Sequence, residues 1–265
     1  TVLSHDLLLR AAQDLIGSAN GPLHQWCVSR TEGLMQLRGG ARALDVLHHV
    51  AEGARTMTAI GKRMGRGGLS EALQLVVERD LAQRNGTCWL VPDPVLRCWL
   101  STVLTAQRAG TRVSTQDVSV RFERYLRALW EQWEQARALS FPDQVAALFG
   151  KFDDETISLD SKTGRLPRFQ AIRAHEPADA GGGQYLIAEG EGKRWCASVQ
   201  EGCIDEAAIA RFEAFCREQT PRPARKVVIT NAQMQHDARV FAKTVNMWGW
   251  EPEDVQRLMG MYGGL

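Results

Sequence analysis

Apolar positions recur at helical spacing through the first hundred residues and at strand spacing in the second half. From His5 to Gly17 the pattern Leu8, Ala12, Leu15, Ile16 predicts an amphipathic helix. Gly21-Pro22 opens a second helix, expected to end at Gly39-Gly40. A third runs Leu44 to Ala51, with Leu44, Leu47 and Val50 inward, and stops at Gly53. Thr56 is the expected cap of a short helix through Ile60 and Met64; Gly65 to Gly68 turn the chain; Ser70 is the expected cap of the next, with Leu73, Val76 and Val77 inward. A hairpin follows with its tip at Asn85-Gly86, and Asp93-Pro94 starts a helix carrying Leu96, Trp99 and Leu100. The polar run 108–118 reads as a linker. A long helix, Val120 to Leu139, carries the stripe Phe122, Leu126, Leu129, Trp133, Ala136 and is broken by Phe141-Pro142. Strands are predicted at Pro167 to Ala174, Gln184 to Glu189 and Arg194 to Glu201, separated by Gly181-Gly182-Gly183 and Gly190-Glu191-Gly192. Asp205 caps a helix with Ile209, Phe212 and Phe215 inward; Lys226 to Thr230 is a short apolar strand; helices near 232–245 and Pro252 to Tyr262 close the chain.

These elements predict a mixed α/β protein of two domains. Residues 1–107 form a helical entry segment and a winged helix, 108–118 a linker, and 119–265 an αβββαβ domain with a four- or five-stranded mixed sheet. Composition narrows the uses of such a chain. No apolar run approaches the ~20 residues of a membrane span, and no signal segment opens the sequence. The chain starts on Thr1, directly into an amphipathic helix, as expected of a piece of a longer protein. The six cysteines are scattered, read as buried thiols of a cytoplasmic protein rather than a disulfide framework. Net charge is +1. The first 110 residues carry 12 Lys and Arg against 9 Asp and Glu, the remainder 20 against 22. Neither half has the strong basic field of a dedicated high-affinity DNA binder.

Two stretches carry a family resemblance. ALDVLHHVAEGARTMTAIGKRMG, LQLVVERDLAQRNG and LVPDPVLRCWL resemble the winged helix that follows the nucleotide-binding core in bacterial and archaeal AAA/STAND-type ATPases. RFERYLRALW, LPRFQAI, QYLIAEGEGKRWCASVQEG, KVVIT and LMGMYGGL resemble the restriction-endonuclease-like domain that trails it in a subset of them. The resemblance implies an upstream ATPase module; this chain has no GxxxxGK[ST] phosphate loop, so ATP would bind only there.

Nucleases of that fold hold Mg²⁺ through a strand Asp and the Glu of Glu-x-Lys on the next strand. On this chain those positions fall on Tyr185, Ser198 and Gln200, and only a helix acid, Glu123, matches. None of the three supplies a negative charge, so hydrolysis by this route is not expected. Glu191-Gly192-Lys193, with Asp160 upstream, matches the pattern literally but reads as a hairpin tip. Glu189 with Gln200 and Glu201 is another rival, in which the last two point to opposite faces. Glu189 and Glu191 are thus the fallback ligands of an active Mg²⁺-dependent nuclease, the third reading of function. The first reading is a non-catalytic DNA-binding or regulatory region without a cofactor of its own, with Lys62, Arg63, Arg66, Arg79 and Arg84 as the cations facing double-stranded DNA. Against it, the third winged-helix helix presents Glu71 and Glu78. The second reading is a protein–protein or homo-oligomerisation module. His48 and His49 are adjacent, about 100° apart on a helix, and are expected to be poor joint metal ligands; His5, His24, His175 and His236 read as surface or cap residues.

Overall fold

The computed structural model describes residues 5–104, 115–159, 162–176 and 183–262. It divides into two compact units, Thr1–Glu131 and Gln132–Leu265. Most of the expected linker, and Asp160, lie outside the described residues.

The first unit opens with α1 (His5–Ala12), prolonged by a wider π-helical turn, and α2 (Pro22–Met35). The winged helix follows as α3 (Gly40–Ala51), α4 (Met57–Met64), α5 (Leu69–Glu78) and a hairpin of β1 (Gln83–Asn85) and β2 (Cys88–Leu90). Ala43, Leu44, Val46, Leu47 and Val50 are buried, at the spacing that puts them on one face of α3. Thr56 caps α4, its hydroxyl accepting from the Ala59 amide at 3.1 Å. Thr56 also bridges Cys88, and the Trp89 amide donates to the Arg55 carbonyl at 2.7 Å, so the wing is tied to the start of α4.

Local chemistry moved three boundaries. Gly39 and Gly40 start α3 rather than ending α2: Gly39 has φ +83°, and a Cβ on Gly40 would sit 1.9 Å from the Leu34 carbonyl oxygen. Gly68, at φ +64°, is the residue before α5, which leaves Ser70 inside its first turn. Asn85 pairs with Cys88, so the hairpin loop is Gly86-Thr87, with the positive φ on the glycine. Asp93 caps α6 (Pro94–Trp99) through the Leu96 amide, as its position before proline predicts.

The long helix α7 (Thr115–Ala138) crosses the division between the units. Phe122 is fully buried in the first unit's core, with Val118, Tyr125 and Leu126 beside it. Leu129 is exposed, so the expected apolar stripe is covered over only part of its length.

In the second unit, Phe141-Pro142 does not merely end a helix. It begins α8 (Phe141–Phe149), capped by Ser140. Next come a separate hairpin, β3 (Glu155–Leu159) with β4 (Lys162–Leu166), then β5 (Ala171–His175), β6 (Gly183–Gly190), β7 (Lys193–Gln200), α9 (Glu206–Glu218), β8 (Arg225–Thr230), α10 (His236–Thr244), β9 (Met247–Trp250) and α11 (Pro252–Tyr262). The sheet order is β5-β6-β7-β8-β9, antiparallel across β5, β6 and β7 and parallel from β7 to β9. The fold is mixed α/β with a five-stranded sheet. Alternation assigns its faces. Tyr185, Cys196, Val228 and Met247 pack with Ile209 and Phe212 of α9 and with Ala238 and Ala242 of α10. On the other face Trp195 meets Phe149 and Phe169 edge to face, and Phe149 meets Trp250. Among the described residues no helix is long and apolar enough to cross a membrane.

Candidate functional site

The five cations singled out in the winged helix are all exposed. Lys62, Arg63 and Arg66 lie at and after the last turn of α4, just before α5; Arg79 follows α5; Arg84 is on the wing. Arg84 lies over the Trp89 ring at 5.5 Å and donates to the Gly86 carbonyl at 2.9 Å, which holds the guanidinium at the hairpin end. Arg63 is paired with Glu52 at 3.3 Å. Between these cations, Ser70, Glu71, Gln74 and Glu78 are exposed on α5, and Gln74 donates to Glu78 at 2.8 Å. The surface is therefore a basic margin around an acidic helix face.

In the second unit the three positions that the resemblance singles out lie close together on neighbouring strands. Tyr185 and Ser198 are direct partners across β6 and β7, and the Gln200 amide donates to the Ser198 hydroxyl at 3.2 Å. The environment is apolar. Tyr185 is 5% exposed, its ring centroid 5.2 Å from Phe212 and 4.6 Å from Phe215; Ser198 is 1% exposed. A hydroxyl and a carboxamide offer a cation no negative charge, and the rings of Phe212 and Phe215 pack against Tyr185. Glu123 is an exposed residue of the first unit, paired with Arg127 at 2.8 Å.

The fallback acids are differently placed. Glu189 is bonded by Arg194 across the β6–β7 pair and lies 3.7 Å from Arg173 on β5, so its charge is answered by two guanidiniums. Glu191 sits at φ +48° beside Gly192 at φ +73°, in the exposed turn joining β6 to β7.

Three features were not anticipated. His24 is buried rather than superficial, its Nδ1 3.3 Å from the Trp99 indole nitrogen and 3.1 Å from the Ile16 carbonyl oxygen. A cavity of about 430 Å³ opens in the second unit between the β3–β4 hairpin, α10, β9 and the start of α11, with Trp248 and Trp250 in its lining and the Arg239–Glu251 pair (2.7 Å) among its polar groups. Finally, His48, His49 and Glu52 place one nitrogen of each ring and a carboxylate oxygen within 4.8 Å of one another. Among the described residues this is the group of His, Cys, Asp or Glu close enough to share a cation; Glu189 and Glu191 are not part of it. The H-H-x-x-E spacing carried that signal, since i+3 and i+4 bring Glu52 to both histidines.

No family model and no curated protein matches this chain. Protein VC1899 from Vibrio cholerae, a solved structure, is similar to it at 11% identity and a TM-score of 0.26, over 94% of this chain and 54% of that one. This chain spans about half the length of that protein, and a likeness at that level transfers neither fold nor activity.

Proposed function

We propose that this chain is a non-catalytic, cytoplasmic DNA-binding region, and that in the whole protein it works behind an AAA/STAND-type ATPase module, as the resemblance of its motifs implies. The observation that carries the reading is the set of exposed cations Lys62, Arg63, Arg66, Arg79 and Arg84 around α5 and the wing. A winged helix contacts DNA with its third helix and its wing, and cations on the margins of that helix meet phosphates. The second unit, in this reading, is a nuclease-like scaffold whose catalytic carboxylates have given way to Tyr185 and Ser198. It contributes shape and packing, not hydrolysis.

The test is binding to double-stranded DNA by fluorescence anisotropy across a KCl series. If about four cations meet phosphates, log K falls with log salt at a slope of about −3.6, which is roughly a hundredfold loss between 50 and 200 mM. Lys62→Ala and Arg66→Ala should each flatten the slope by about 0.9. Affinity that does not respond to salt, or variants that bind like the parent, would exclude this surface.

The acids Glu71 and Glu78, exposed on α5, favour a second reading in which the same face meets a protein. Leu7, 56% exposed on α1, adds apolar surface to the first unit. Absence of DNA binding together with a concentration-dependent dimer in sedimentation would favour that reading.

A further inference from the structure

We propose that His48, His49 and Glu52 form a binding site for a divalent transition cation of the zinc, cobalt or nickel class, at the C-terminal turn of α3. None of the three ligands is a proposed DNA-contacting cation, and only Arg63, paired with Glu52, touches both surfaces.

The geometry fits a shared ion. His48 Nε2 lies 3.5 Å and His49 Nδ1 3.7 Å from Glu52 Oε2. Even with the third side at its widest, 4.8 Å, a point exists about 2.4 Å from all three atoms, against the ~2.0–2.2 Å of a zinc–nitrogen or zinc–oxygen bond. A rotamer adjustment of a few tenths of an ångström closes the difference. Adjacent histidines can do this because one offers its far ring nitrogen and the other its near one, which offsets the angle between their Cβ directions. Rings 5.2 Å apart and tilted by 44° are consistent with that convergence.

The surroundings are those of ligands. His48 Nδ1 is 3.2 Å from the Leu100 carbonyl oxygen. With the proton there, Nε2 carries the lone pair toward Glu52, the outer hydrogen bond that orients metal-binding imidazoles. His49 Nδ1 is buried and has no hydrogen-bond partner. Two imidazoles and a carboxylate select zinc-like ions over magnesium or calcium, which prefer oxygen donors.

One group competes. Arg63 reaches the same oxygen, Glu52 Oε2, at 3.3 Å. The Arg63 side chain is 44% exposed, so the pair is held weakly and a cation can displace the guanidinium into solvent.

The experiment is a cobalt titration of the full chain in a Cys203→Ser background, which removes the exposed thiol, read by visible absorption and by competition with zinc. The expected result is saturation at one equivalent, with no thiolate charge-transfer band. His49→Ala and Glu52→Gln should each weaken binding by at least about tenfold, and Arg63→Ala should tighten it. Zinc should also raise the unfolding temperature of the parent but not of His49→Ala, a comparison that separates loss of the site from loss of the fold. Absence of saturable binding, or binding unchanged in both His49→Ala and Glu52→Gln, would overturn the proposal.

Discussion

Replacing Tyr185 by Asp installs the residue type that the resemblance to nucleases implies at this position, and the packing predicts that the second unit will not tolerate it. The ring is 5% exposed and wedged against Phe212 and Phe215. Removing a buried aromatic side chain of this size costs about 3–5 kcal/mol. The new carboxyl would sit in an apolar pocket, which raises its pKa by roughly two to three units. At neutral pH that adds about 3–4 kcal/mol, at ~1.4 kcal/mol per unit. The sum, about 6–9 kcal/mol, is comparable to the ~5–15 kcal/mol that holds a typical domain together. Urea unfolding followed by tryptophan fluorescence should therefore show the variant largely unfolded or greatly weakened at pH 7.5, while Tyr185→Phe loses at most about 0.5–1.5 kcal/mol. The pH dependence has a fixed sign. The folded-state pKa of the introduced carboxyl lies above its unfolded value of ~3.9, so the native state binds more protons in between. The variant is least destabilised below the unfolded pKa and loses stability relative to the parent as pH rises toward the folded one. A Tyr185→Asp protein as stable as the parent, with no such pH dependence, would refute the reasoning. It would mean that water reaches this position and that a metal-binding acid could reside there.

Two further outcomes follow from burial and close approach. Of the six cysteines, five are buried and Cys203 is exposed, and burial pushes the Cys27 and Cys98 thiols up to about 12; mass spectrometry after iodoacetamide at pH 7.5 should find Cys203 alkylated in the native protein and Cys27 and Cys98 only after denaturation, because the thiolate is the reactive form. Gly190→Ala should destabilise the second unit by about 1–3 kcal/mol in urea unfolding, since its Cβ would fall 2.1 Å from the Arg168 carbonyl oxygen, a backbone atom with no rotamer to yield; an unchanged midpoint would show that the β6 edge does not pack there.

Much of the fold was legible in local pattern. Thr56, Asp93 and Asp205 each cap the helix that their position before an apolar run announces, because an N-cap needs only an acceptor within three residues of a free amide. The strands around Tyr185, Ser198 and Val228 were readable from their apolar runs and flanking glycines. The hairpin 155–166 was not: β3 alternates buried and half-buried positions, but the first inward one is a carboxylate, Glu155, and β4 contributes one buried apolar residue, Leu166. Its Glu155 is buried and accepts from the Tyr262 hydroxyl, a partner 107 positions away. β9 was missed as well: the four-residue Met-Trp-Gly-Trp segment follows a turn at Asn246 with φ +57°, and only its parallel pairing with β8 makes it a strand.

The candidate site divides in the same way. Residue identity alone settled that Tyr185, Ser198 and Gln200 carry no carboxylate, since charge is a property of the side chain and not of its neighbours. That Tyr185 and Ser198 would be buried and that Glu189 would be claimed by two arginines were decided by tertiary structure, whereas the approach of His48 and His49 to Glu52 is set by i+3 and i+4 spacing at the end of one helix. Capping and periodicity are settled within a turn or two of chain. Burial, and ion pairing between strands, depend on the element that arrives from elsewhere to cover a face.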